Sequence, residues 1–123
     1  MECLVFVWWL LMLTINSLVF DYRDIDGDAA FGTRTIPVRL GRRNTIYLLI
    51  GLAVALVGVS AWLASRGFVS PVMPAAIACG SAGLLFAVIS RLRPLTISVL
   101  ADLFLILPAI VEIFAWVWSL VQL

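Results

Sequence analysis

The chain has 123 residues, of which 64% are hydrophobic, and a mean hydropathy of +1.17, which excludes a water-soluble globular fold. All 8 basic residues are arginine, so histidine acid–base catalysis, histidine metal ligation and lysine Schiff-base chemistry are ruled out. The net charge of +1 conceals a local dipole, because nine charges fall between Asp21 and Arg43, acidic first and basic after, and no nucleic-acid partner is expected.

The first apolar run, Cys3 to Phe20, is long enough at about 1.5 Å rise per residue to cross the hydrocarbon core of a bilayer. Acidic Glu2 and the lack of a small-x-small cleavage site argue for a retained span rather than a signal peptide. Residues 21–44 form a polar connection, with Asn44 expected to cap the next helix, and residues 45–65 make a second span. Arg66, Gly67, Ser70, Pro71 and Pro74 mark a turn before the third span, 75–90. That span is rich in small residues, which predicts close packing and burial among neighbours. Arg91 to Pro94 forms another turn before the last span, 95–122, in which Pro108 predicts an irregular helix. The expected fold class is therefore an all-α membrane protein of four transmembrane helices forming a single domain.

Arginine counts set the expected orientation: five in the first connection and two in the last turn, against Arg66 alone in the middle turn. The aspartate-rich loop is thus expected on the cytoplasmic side of a multi-pass protein, in the plasma membrane if the source is prokaryotic. Cys3 and Cys79 lie in apolar stretches 76 positions apart and are expected to be buried, unpaired thiols.

The polar connection carries the chemistry. If the first helix continues past the membrane, Asp21, Asp24 and Asp28 fall at i, i+3 and i+7 and share a face, whereas Asp26 points elsewhere. Three like charges at that spacing repel, and a divalent cation relieves the repulsion. An all-oxygen set suits Mg²⁺, which keeps waters and bridges to substrate phosphates. The arginines that follow supply guanidinium forks for phosphate oxygens. A diphosphate held at the mouth of an apolar bundle would place an attached lipid tail among the helices. An ordinary solvated loop, without ligand, is the alternative reading of the same charges.

The run Asp21-x-x-Asp24-x-x-x-Asp28, followed by Gly32-x-Arg-Thr-x-Pro and Val38-Arg39-Leu40-Gly41, resembles the second aspartate-rich motif of UbiA-type intramembrane prenyltransferases. The resemblance implies nine helices around a lipid-facing cavity, of which this chain would supply the last four. It implies Asp24 and Asp28 as the carboxylates of a metal–diphosphate site, with Asp21 beside them, and these three as the catalytic and Mg²⁺-binding residues. Arg34 takes the position expected near the diphosphate, and Arg39 follows it. The implied partners are a polyprenyl diphosphate, a lipophilic acceptor such as the quinone precursor dihydroxynaphthoate, and membrane lipid. The family's first aspartate-rich motif and about five helices have no counterpart here. The chain is therefore expected to be a fragment of a longer domain, inactive alone and needing the N-terminal helices or a partner chain.

Other polar residues have two readings each. Asp102 could reach the substrate cavity or pair with Arg91 or Arg93, the pairing being preferred. Glu112 is expected to snorkel or to hydrogen-bond another helix. Trp8, Trp9, Trp116 and Trp118 fit an interfacial belt better than a box that stabilises a cation. Phe20 and Tyr22 stand next to the aspartates, where an aromatic face could meet an allylic cation. Asn16 could bond substrate or a neighbouring helix. Two rival functions remain at this point, a membrane protein that binds divalent cations without catalysis and a non-catalytic helical scaffold.

Overall fold

A computed structural model describes residues 2–90 and 92–122. Five helices follow in order: α1 (Glu2–Arg23), α2 (Ile25–Ala30), α3 (Ile36–Ser65), α4 (Met73–Ile89) and α5 (Pro94–Val121), with no strand among the described residues. Three of them, α1 from Cys3 onward, α3 and α5, are long and apolar enough to cross a membrane; α4 is a shorter apolar helix of 17 residues. The chain is an all-α, multi-pass membrane protein, and all four expected spans are helical.

The connection read as polar loop is mostly helix. Asp24 interrupts the chain only locally (φ −96°, ψ 9°), because its N–H still reaches Phe20 O at 3.1 Å and its carbonyl accepts Asp28 N–H at 2.9 Å. Helix α2 closes on Gly32, whose φ of 74° lets Gly32 N–H bond Ala29 O and Thr33 N–H bond Asp28 O, the paired closure of a Schellman motif. Helix α3 then starts at Ile36 with Pro37 in its first turn, where the missing N–H costs nothing. It is broken once, at Gly41 (φ 77°, ψ 161°), a backbone state essentially reserved for glycine. Asn44 therefore does not cap a new helix: its Nδ2 donates to Leu40 O at 3.0 Å across the break, beside Thr45 Oγ1, which donates to Gly41 O at 2.9 Å.

The four long helices close into a ring, α1 against α3, α3 against α4, α4 against α5 and α5 back against α1, while α2 rests on α1 and α3. Polar contacts fix the directions. At one end Arg23, late in α1, bonds Ser98, early in α5; at the other Trp8, early in α1, bonds Ser60, late in α3. Met12, Leu49, Leu56, Met73, Ile77 and Phe104 fill the interior. The outside is also apolar, with Phe6, Val54, Phe86 and Phe114 at least two-thirds or nearly two-thirds exposed, as lipid contact requires.

Helix α4 is less enclosed than its small residues suggested. It buries one stripe, including Met73, Ile77, Ser81, Leu84 and Val88, and leaves Ala75, Ala82 and Gly83 outside. Gly80 is the position where smallness matters, since a Cβ there would stand 3.1 Å from both Phe104 and Leu107 of α5. Cys3 and Cys79 are free thiols, as expected, but exposed rather than buried, because both point from the ring to its apolar surroundings. Helix α5 runs unbroken through the buried Pro108.

Candidate functional site

The aspartates sit where α1 passes into α2. Because the helical hydrogen bonds continue across Asp24, the i, i+3, i+7 register survives, and Asp21 lies in the field of the Asp28 and Asp24 charges. Asp21 and Asp28 are half-buried and have no hydrogen-bond or ion-pair partner among the described residues; Asp24 is exposed. The three are not drawn into a ready-made cage: among the described residues no group of three acidic, histidine or cysteine side chains is close enough to hold a metal ion. The donor chemistry nonetheless fits a hard divalent cation, with two unpartnered carboxylates mutually repelling on one helical face and a third beside them.

Arg23 occupies the third carboxylate. Its Nε and Nη2 donate to the two oxygens of Asp24 at 2.7 and 2.5 Å, while Nη1 donates to Ser98 Oγ at 2.5 Å. The guanidinium also lies 5.2 Å from the Phe20 ring. Hydrogen bonding from Arg23 holds the Asp24 carboxyl below the usual carboxylate range. The junction of α1 and α2 is thereby tied to α5 through one side chain.

Asp26 points away from the other three aspartates, as its position predicts, and its Oδ2 accepts Arg42 Nη2 at 2.6 Å. Arg42 lies over the buried Tyr22 ring at 5.4 Å. Phe20 and Tyr22, read from sequence as faces for a substrate cation, each carry a protein guanidinium. Arg34 is exposed in the α2–α3 connection and Arg39 on the first turn of α3, and neither makes an ion pair among the described residues. Their forks remain available to an anion.

The other residues sort differently from expectation. Asp102 is exposed on α5 and has no bond to Arg93; Arg91 lies outside the described residues. Glu112 makes an intersegment hydrogen bond, its Oε1 accepting Ser70 N–H from the α3–α4 turn at 2.7 Å. Trp8 does not belong to an interfacial belt: it is 3% exposed and donates through Nε1 to Ser60 Oγ at 2.7 Å, whereas Trp9, Trp116 and Trp118 are exposed. Asn16 Oδ1 is buried with no partner among the described residues. The sequence shows Arg23 and Arg42 as part of the charged block but does not reveal their contacts, nor any part for Ser98. An arginine adjoining Asp24 was a local signal for the first, but nothing in the sequence announces that Ser98 lies 75 positions away across the ring.

Comparison with known proteins bears on this arrangement. A model of the UbiA prenyltransferase family matches residues 1–118. A digeranylgeranylglyceryl phosphate synthase of Natronomonas pharaonis is 43% identical over 42 residues, a stretch that covers 34% of this chain and 15% of that relative. No solved structure gives a significant match.

Proposed function

This chain belongs to the UbiA prenyltransferase family, and from that premise we propose that it carries the diphosphate-binding part of a Mg²⁺-dependent transferase moving a prenyl group from a polyprenyl diphosphate to a lipophilic acceptor. The observation that carries the reading is the pairing, at one end of an apolar ring, of a shared aspartate face with two arginines that make no ion pair among the described residues. Asp21, Asp24 and Asp28 would hold Mg²⁺, and Arg34 and Arg39 would bind the diphosphate oxygens. The cation, when bound, neutralises the diphosphate and makes it a better leaving group.

This chain's own part is binding and orientation. Arg34 and Arg39 offer planar guanidinium forks to phosphate oxygens. Arg23 aligns Asp24, and the apolar helices shelter the isoprenoid from water. Once the allylic carbon–oxygen bond breaks, the diphosphate retains the electron pair, and the electron-rich acceptor attacks the cation and loses a proton. The aspartate loop would face the cytoplasm. The motif's likeness to the branch that prenylates quinone precursors favours an aromatic acceptor, and the relative named for digeranylgeranylglyceryl phosphate extends the choice to lipid phosphates. The chain matches only a small part of that relative, and we infer that it needs further helices to turn over.

Titration of the chain in nanodiscs with farnesyl diphosphate tests the reading. Binding that requires Mg²⁺ and weakens at least tenfold in Asp24→Asn and Asp28→Asn supports it. Binding of Mg²⁺ alone with no effect on diphosphate affinity would favour a cation-binding protein. Substitutions without effect on either ligand would favour a scaffold.

A further inference from the structure

A cavity of about 330 Å³ opens at the same end of the ring but on the opposite side of α1 and α2 from the Asp21, Asp24 and Asp28 face. All five helices meet there, α4 through Val88. Arg23 and Tyr22 come from α1, Asp26 from α2, Arg42 from α3, and Leu92 and Ile97 from the α4–α5 turn and α5. Its walls are therefore of two kinds, a polar part made of two guanidinium groups, the Asp26 carboxylate and a tyrosine, and an apolar remainder. Tyr22 is 4% exposed, and its hydroxyl has no hydrogen-bond partner among the described residues. Arg42 spends one nitrogen on Asp26, and the Tyr22 ring holds its guanidinium in place, which leaves further N–H donors unspent.

From these features we propose that the cavity receives the phosphate group of an amphiphile, bound between Arg42 and Arg23 with its first carbons against Leu92 and Ile97. Arg42 supplies most of the donors, since Arg23 already commits Nε and Nη2 to Asp24 and Nη1 to Ser98 and adds its positive charge and its two remaining N–H groups, while the Tyr22 hydroxyl supplies a neutral donor. Asp26 lines the cavity as the competitor: its side chain is 86% exposed and held by one contact, a pair of the kind that water and salt readily loosen. The incoming phosphate takes Arg42 from Asp26, which swings into water. None of Asp21, Asp24, Asp28, Arg34 and Arg39 lines the cavity, and its one link to the proposed transfer chemistry is Arg23, which also holds Asp24.

Calorimetry of the chain in phosphatidylcholine nanodiscs, with dodecyl phosphate as probe, tests the proposal. Arg42→Gln should weaken binding about tenfold or more, and Asp26→Asn, at an exposed position that leaves the fold intact, should strengthen it severalfold. Inorganic phosphate alone should bind at least tenfold more weakly, and dodecyl maltoside should not respond to either substitution. Competition by phosphatidic acid placed in the nanodisc would identify a membrane lipid as the source of the head group, and lack of competition a soluble phosphate monoester; both support the site. Asp28→Asn should leave dodecyl phosphate binding unchanged even where it abolishes Mg²⁺-dependent farnesyl diphosphate binding, so the two readings fail separately. Equal dodecyl phosphate affinity in the wild type, Arg42→Gln and Asp26→Asn would overturn the proposal, as would inorganic phosphate binding just as tightly.

Discussion

Trp8 donates its indole N–H to Ser60 Oγ at 2.7 Å, and Ser60 in turn donates to Leu56 O at the same distance. Both side chains are buried, so the contact ties the start of α1 to the end of α3 where no water competes. Trp8→Phe removes the donor but leaves Ser60 bonded to its own helix, and should cost about 1 kcal/mol. Trp8→Ala also empties a core position and should cost about 3–5 kcal/mol. Reversible unfolding in mixed micelles measures both.

Gly80 and Gly83 make a matched pair on α4. A Cβ at Gly80 meets Phe104 and Leu107 at 3.1 Å, whereas one at Gly83 meets nothing within 4 Å. Gly80→Val should force α4 and α5 apart and destabilise by about 1–3 kcal/mol. Gly83→Ala should gain up to about 1 kcal/mol through helix propensity. Unfolding midpoints should therefore move in opposite directions.

Neither consequence could be read from hydropathy. The four spans were legible because long apolar runs separated by arginine- and proline-bearing turns have few other solutions. Averaging over such a run hides its faces, which is why Trp8 looked interfacial and α4 looked enclosed. In the connection the error ran the other way. Charges at residues 21–44 masked a mostly helical segment, because polar composition says nothing about hydrogen bonds made by the backbone. The aspartate spacing was legible once a helix was assumed; the partners of Arg23 and Arg42 depend on ring closure and were not.

Protonation offers a direct check on Arg23. Its hydrogen bonds hold the Asp24 carboxyl below the ordinary value. The native state thus releases this proton more readily than the unfolded chain, so the pair's stabilisation is present above about pH 3.9 and is lost as pH falls through the lowered native pKa. Arg23→Gln should raise the Asp24 pKa toward the ordinary value. Carbon-13 detection of the carboxyl during an acid titration reads the change, and an unmoved midpoint would refute the assignment.

Glu112 closes the far end of the ring by accepting Ser70 N–H. Glu112→Ala leaves that half-buried N–H unpaired and should cost about 1–3 kcal/mol, whereas Glu112→Gln retains an acceptor and should cost less. Hydrogen exchange at Ser70 should accelerate in the alanine variant only.

The Gly41 break should be intolerant of side chains. With φ at 77° and ψ at 161°, Gly41→Ala carries a strain of about 1–3 kcal/mol unless the backbone rotates. Such a rotation would turn Arg39 relative to Arg42, and electron-spin-label distances between these two positions should shift.

The contact of α5 with α1 also has a temporal meaning. Helices α1, α3 and α4 can meet their sequence neighbours as the ribosome delivers them, yet one flank of α1 has to wait for the last helix to emerge. Until then Arg23 lacks its serine anchor, and the assembling chain holds its acidic elbow without the strut that later fixes it. The four-helix ring therefore closes only once α5 has emerged to cover that flank of α1.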